Sequence, residues 1–526
     1  MWTFISFLSF TAFVAIYTWW RLKNQNLHSS DGYFLGGRSL SAMVIASSML
    51  LTNISTEHLV GMNGSSYKNG LIIISWEVTA TFGLILGAIY FVPKYLKMGL
   101  TTIPKFLELR FARSTRTIVA FLMILSFILT LLPIVLYTGA VHFENIFNIS
   151  ETLGLTMEQG IWLTVIVTGM IGASYSILGG LKAVSVSDII NGSGLLIGGL
   201  LIPVLALLDI GDGNILTGIG EVYKKAPEKF NVIGSKDSVL PFSTLFTGLA
   251  ICQIYFWSMH QTIIQRALGA RDLATAQKGL FLTGVFKILV PLVIAIPGII
   301  GFYYFGDSLY GAQDTIYPAL VKKVLPSYLV GFLAAVVMGA ILSTFNSVIT
   351  SAATIYTVDI YKVYINRDAT EKQMVSTGRI CSTILSVFAI LTAPLMGNAP
   401  QGLYQLMQTL NGFFYIPFGA VIIAGFFFKK ISAQGANASL AVGLTFYFIT
   451  TFVADIGVHF VHVWGIMFLL MMITMTIVSK FYPVKKVFRI ENAHVVDLTE
   501  WKYAKLAAVV IALITLSIYI SLGRFA

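Results

Sequence analysis

The sequence predicts an all-α integral membrane protein of about fourteen transmembrane helices, and three observations carry that prediction. Of the 526 residues, 56% are hydrophobic and only 11% are charged. Soluble domains carry roughly 25% charged residues, so lipid must cover the surface that charge cannot. Apolar runs of about twenty residues recur along the whole chain. At about 1.5 Å per residue each crosses most or all of a roughly 30 Å hydrocarbon layer. Shorter alternating segments of the kind that build a membrane β-barrel are absent. The third observation is where the basic residues fall. With segment centres near residues 12, 51, 83, 130, 168, 196, 255, 291, 344, 386, 415, 444, 471 and 513, 25 of the 34 Lys and Arg residues fall in alternate loops. Those loops are predicted to be cytoplasmic, which places both termini outside and absorbs the net charge of +11 without a nucleic-acid partner.

The first run, residues 2–20, lacks a basic start and a small-residue cleavage site, and Trp19, Trp20 and Arg21 anchor its end at an interface. It is expected to be a retained helix rather than a signal peptide. The second span, residues 40–62, is interrupted by Thr52-Asn53-Ile54-Ser55-Thr56-Glu57-His58, where six of seven side chains are polar. Such a stretch is poor material for a lipid-facing helix. The seventh span repeats the pattern with Gln253, Trp257, Ser258, His260 and Gln261. Two interrupted helices five spans apart point to an inverted-repeat transporter with its site at the midplane; two polar-faced helices inside a bundle would read the same way.

Ionisable groups within spans are costly and need a purpose. Glu77 stands about seven residues into the third span, and Asp188 is the only carboxylate in the sixth. Lys287 stands in residues 280–305, a run otherwise nearly free of charge, where its ammonium needs a cavity or a partner. Glu77 either accepts hydrogen bonds from substrate hydroxyls or pairs with Lys287. In the ninth span Ala340, Ser343 and Thr344 offer hard oxygen ligands of the kind an alkali cation takes, although hydroxyls there also bond to their own preceding turn. No arginine is assigned to any span, an absence that speaks against a carboxylate substrate, because guanidinium clamps carboxylates with two parallel bonds. The outer excursions at 210–242 and 306–324 are too short for separate domains, and Cys252 and Cys381 are expected to pack as small hydrophobes. Nucleotide loops, hydrolase triads and paired Cys/His metal spacings are absent, so the protein is not expected to be an enzyme.

At these residues the chain resembles the sodium/solute symporter family, in particular its bacterial sodium/galactose branch. The resemblance runs through Asp31-Gly-Tyr-Phe-Leu-Gly-Gly-Arg38, Asn53-Ile-Ser-Thr-Glu57, Tyr175-Ser-Ile-Leu-Gly-Gly-Leu181, Ile263-Ile-Gln-Arg266, Ala276-Gln-Lys-Gly279, Ala340-Ile-Leu-Ser-Thr344 and Val358-Asp-Ile-Tyr-Lys362. It implies a single transmembrane domain over residues 1–526, in a cell membrane. Within it, two inverted five-helix repeats (LeuT-like, about 39–209 and 243–430) follow one N-terminal helix and precede three C-terminal ones. It implies sodium ion as the coupling ligand, held by Leu51, Ile54, Ala340, Ser343 and Thr344, with Asp188 and Ser347 at the place of a second sodium that Asn346 puts in doubt. It implies a substrate site of Asn53, His58, Glu77, Gln253, Phe256, Trp257, Lys287 and Gln408. Met62, Trp76 and Tyr404 would form an outer gate and Phe256 an inner one. His58, Gln253, Ala80 and Phe256 depart from the galactose pattern, so the exact sugar does not transfer. The expected function is sodium-coupled import of a small polar solute, a hexose first, by a protein able to act as a monomer. The alternatives are a sialic acid or other carboxylate symporter of the same fold, a proton-coupled carrier using Asp188 or Glu57, and a channel or sensor that kept the fold.

Overall fold

In the computed structural model the chain folds almost wholly into helices, and residues 1–23, 29–397, 403–454, 456–484 and 488–524 are described. Lys485 and Lys486, counted above among the inner basic residues, lie outside that set. Among the described residues no strand forms, and only isolated bridges join Leu40 to Ala270 and Asp272 to Asp497.

Twelve helices among the described residues are long and apolar enough to cross a membrane, from Trp2–Arg21 to Ala504–Leu522. The expected spans near residues 51 and 255 are not separate members of that set, because both are broken. The first stops as Ala42–Asn53, only 12 residues long, where Ile54 turns extended at φ −90° and ψ 108°. Ser, Thr and Asn side chains compete for backbone partners, so this polar stretch gives up helix at little cost. The chain then rewinds through Glu57–Met62 as a wide, π-helical turn. The second stops as Gly248–Ser258, 11 residues long, and restarts as Gln261–Leu268 after His260 turns extended at φ −71° and ψ 127°. Both interruptions fall where the sequence concentrates polar residues.

Two glycines turn long helical runs back across the bundle. Glu57–Lys97 is one apolar stretch of 41 residues, and Gly70 divides it at φ 75°. Met157–Ile210 divides at Gly180, φ 55° and ψ −154°, into Met157–Ile177 and Gly180–Ile210. Side chains rarely adopt either conformation, and glycine adopts both freely. The core is the helix Ser327–Ile355, buried along almost its whole length. It packs against Met157–Ile210, Trp2–Leu22 and Ala42–Asn53. Small residues permit the approach, with Gly331 against Thr3 and Ser6, and Gly339 against Asn191. Trp2–Leu22 and Ala504–Leu522 leave large apolar side chains exposed, the faces that lipid covers. The excursions at 210–242 and 306–324 carry short helices, Ile215–Lys225 and Ile316–Val324. Cys252 is buried, Cys381 half-buried, and both are free thiols.

Candidate functional site

The two helix breaks deliver polar groups to one central cavity. Seven of the eight expected substrate residues line it: Asn53, His58, Glu77, Gln253, Phe256, Trp257 and Gln408. Lys287 stands behind that wall, fully buried. Its Nζ donates to Asn53 Oδ1 at 2.5 Å and to Glu77 Oε2. It also sits 4.8 Å from the centroid of the Trp257 ring, whose π face attracts a cation. Both readings of Glu77 therefore meet in one residue, which pairs with Lys287 and faces the cavity. His58 lies between two carboxylates, with Nδ1 3.4 Å from Glu57 Oε1 and Nε2 3.6 Å from Glu77 Oε1. Glu57 is a wall residue that sequence reasoning placed only among possible proton carriers. Its Oε2 is buried and has no hydrogen-bond partner.

The remaining wall is held by side chains that orient one another. Gln253 donates to the Trp76 carbonyl at 2.6 Å and to Thr79 Oγ1 at 3.1 Å, and accepts from Trp257 Nε1 at 3.1 Å. The glutamine expected to meet substrate thus also sets the indole's direction. Gln408 donates to Tyr404 Oη at 3.2 Å and accepts from Asn411 at 3.3 Å. Tyr404 lines both this cavity, about 60 Å³, and a second one of about 370 Å³ that Lys68, Asp314 and His459 also line. That placement suits a gate, and the Trp76 ring meets Tyr404 edge-on at 6.3 Å. Met62, expected beside them, is packed in the core and lines neither cavity. At the other side Phe256 stacks on His260 with centroids 5.1 Å apart, and Tyr415 closes on both rings. His260 was expected only as one of the polar residues interrupting the seventh span, and Tyr415 was not expected there, because it carries no signal in a plain apolar span.

The residues expected to hold sodium come together where Ala42–Asn53 meets Ser327–Ile355. Thr344 Oγ1 donates to the Leu51 carbonyl at 2.9 Å rather than to its own preceding turn. Ser343 Oγ is buried beside the Asp188 carboxylate, and Ile54 and Ala340 are buried. Hydroxyls beside a helix end that frees carbonyls suit a hard cation. Asp188 and Ser347 are joined through other residues. Asp188 Oδ2 accepts from Ser48 Oγ at 2.6 Å. Ser347 shares a hydrogen bond with Thr52 at 2.9 Å and accepts from Arg266 Nη2.

The expectation that no arginine enters a span is corrected: Arg21, Arg113, Arg116 and Arg379 lie within apolar spans, and a deeply buried one, Arg266, enters on a short helix. The restart helix Gln261–Leu268 carries it into the bundle, where it is wholly buried. It donates to Ser48 Oγ at 3.1 Å, to the Thr262 carbonyl and to Ser347 Oγ. It was assigned to an inner loop because the interrupted seventh span was expected to end before it. Its guanidinium is engaged with these partners and does not line the central cavity.

Comparison with known proteins fits this arrangement. The sodium:solute symporter family matches residues 33–443. The chain is 40% identical to the uncharacterized symporter YidK of Escherichia coli over 521 residues, covering 99% of this chain and 91% of that one. It is 32% identical to the sodium/glucose cotransporter of Vibrio parahaemolyticus over 471 residues, covering 84% of each. A solved Na+-coupled sialic acid symporter, in a substrate-bound outward-open state, superposes with a TM-score of 0.79 at 19% identity, covering 93% of this chain and 99% of that one. At that identity the likeness speaks for the fold alone.

Proposed function

Because this chain belongs to the sodium:solute symporter family, we propose that the solute it carries with sodium is a neutral polyhydroxylated molecule, with a hexose as first choice. The observation that supports this most is the charge around the central cavity. Lys287 is committed to Glu77 and Asn53, no arginine among the described residues lines the cavity, and a second carboxylate, Glu57, does. A carboxylate solute would meet these acids with no free guanidinium to clamp it. Like charges at about 4 Å cost on the order of 4 kcal/mol at an effective dielectric constant near 20. A sugar instead matches mixed donors and acceptors on Asn53, His58, Glu77, Gln253 and Gln408, with Phe256 and Trp257 as apolar faces.

In the mechanism this reading supports, sodium is cotransported substrate. Leu51, Ile54, Ala340, Ser343 and Thr344 hold it, tying the first helix of one repeat (about 39–209) to the third of the other (about 243–430). The Thr344–Leu51 contact supports that tie. Sodium then favours the state in which the sugar site is assembled, and by linkage sugar raises sodium affinity by the same factor. Tyr404 with Trp76 gates one side and Phe256 the other. Both termini lie outside, the arrangement that puts the basic loops in the cytoplasm of the cell membrane. Calorimetric titration of the purified protein with sodium present tests the solute. Binding of hexoses supports the reading, and binding of sialic acid with no response to hexoses refutes it.

A further inference from the structure

Away from the transport site, five basic side chains converge on one cavity at the ends of two spans. The helix Arg113–Ser126 begins the apolar span Arg113–Phe147, and the π-helical run Tyr356–Ile365 ends the span Ser327–Ile365. Between them lies a cavity of about 450 Å³ whose ionisable lining is Lys105, Glu108, Arg113, Arg116, Lys362 and Arg367. The acids near it are already shared. Glu108 takes Lys105 at 2.6 Å, Arg116 at 2.5 Å and Arg113 at 3.4 Å. Asp359, fully buried behind the cavity, takes Arg116 at 2.6 Å and Thr102 at 3.0 Å. Burial pushes the Glu108 carboxyl up, but hydrogen bonds and charge from Lys105 and Arg116 outweigh it and hold the group below its usual range. Five cations facing two anions leave three positive charges over. Lys362 and Arg367 are both exposed, and neither has a carboxylate partner among the described residues.

Exposed apolar side chains stand on the same two elements, near the cavity's basic residues. Tyr364 and Ile365, beside Lys362 in sequence, are 51% and 62% exposed, and Phe121 on the facing helix is 58% exposed. Water alone would not favour such side chains next to a basic cluster, whereas a lipid offers both a phosphate and hydrocarbon. Span ends are where headgroups lie, and basic pockets between helices at that level attract anionic headgroups. Free phosphate would use the charges and leave these apolar side chains uncovered.

We propose that this cavity binds the headgroup phosphate of an anionic phospholipid, with Lys362 and Arg367 as its unpaired cationic ligands and the acyl chains lying on Tyr364, Ile365 and Phe121. The test equilibrates the purified full-length protein with phosphatidylglycerol and phosphatidylcholine of equal chain length and counts retained lipid by native mass spectrometry. The wild type should retain phosphatidylglycerol over phosphatidylcholine, and Lys362→Gln/Arg367→Gln should cut that preference roughly tenfold or more with an unchanged melting temperature. If the double variant unfolds, Lys362→Gln alone should show a smaller loss of the same sign. Equal retention of both lipids by the wild type overturns the proposal, as does an unchanged preference in a folded variant. Inorganic phosphate that displaces the lipid as well as short-chain phosphatidylglycerol does would make this a phosphate site and also overturn it.

Discussion

Replacing Lys287 with Met removes the one ammonium that the central network contains and leaves its acceptors in place. Asn53 Oδ1 and Glu77 Oε2 then lose their charged donor in a region where Glu77 is 2% exposed, and a cavity water is a neutral replacement for it at best. Breaking a buried ion pair by removing one partner costs about 3–5 kcal/mol, because an uncompensated charge stays behind. Glu77→Gln has the converse effect: an acceptor remains, but the ammonium, held also by Asn53 and the Trp257 ring face, is left buried without a counter-charge. Replacing both partners removes both charges, so the double variant should lose less than the two single losses together. The expected interaction energy is at least about 1 kcal/mol, within the roughly 0.5–3 kcal/mol seen for residues in contact. Two readouts on purified protein decide it: thermal unfolding and sodium-dependent substrate binding. Strict additivity in both would show that Lys287 and Glu77 act independently and would refute the network.

Four further substitutions probe other parts of the site. Ser343→Ala or Thr344→Ala should raise the sodium concentration for half-maximal uptake at least about tenfold, worth roughly 1.4 kcal/mol; unchanged sodium dependence in both, at normal expression, excludes the site. Gly83→Ala would drive a methyl against the Gln253 carbonyl and to 3.0 Å from Trp257 Cβ. Overpacking of this kind costs about 1–3 kcal/mol, so it should lower both melting temperature and substrate affinity, and a neutral result in calorimetry contradicts the close approach. Arg266→Gln removes the buried donor to Ser347 Oγ and to Ser48 Oγ, the hydroxyl that also bonds Asp188, and should destabilise by about 1–3 kcal/mol; a fully stable variant by thermal unfolding would mean that the guanidinium contributes nothing there.

Much of this was legible in the sequence because membranes punish polarity. A buried Lys287 or a polar run at residues 52–58 has few physical explanations, and each proved to mark the central network. The helical membrane class and the approximate position of the spans followed from apolar run length, since lipid requires each span to satisfy its own backbone. What stayed hidden depends on where a helix breaks and which way it restarts. Arg266 reads as a loop residue until His260 turns extended and a new helix carries it inward. Tyr415 and Met62 are ordinary apolar-span residues whose direction follows from packing, so one faces the cavity and the other the core. The two glycine turns at Gly70 and Gly180 were equally silent, because glycine is common in spans and its φ is set by what surrounds it.

The most direct test of sodium-coupled hexose transport is uptake into proteoliposomes under an imposed inward sodium gradient. Radiolabelled glucose or galactose should accumulate above equilibrium, with other hexoses competing and sialic acid failing to compete. Accumulation should vanish when potassium replaces sodium. If sialic acid at low concentration blocks uptake while hexoses in large excess do nothing, or if a proton gradient drives accumulation without sodium, the account is contradicted.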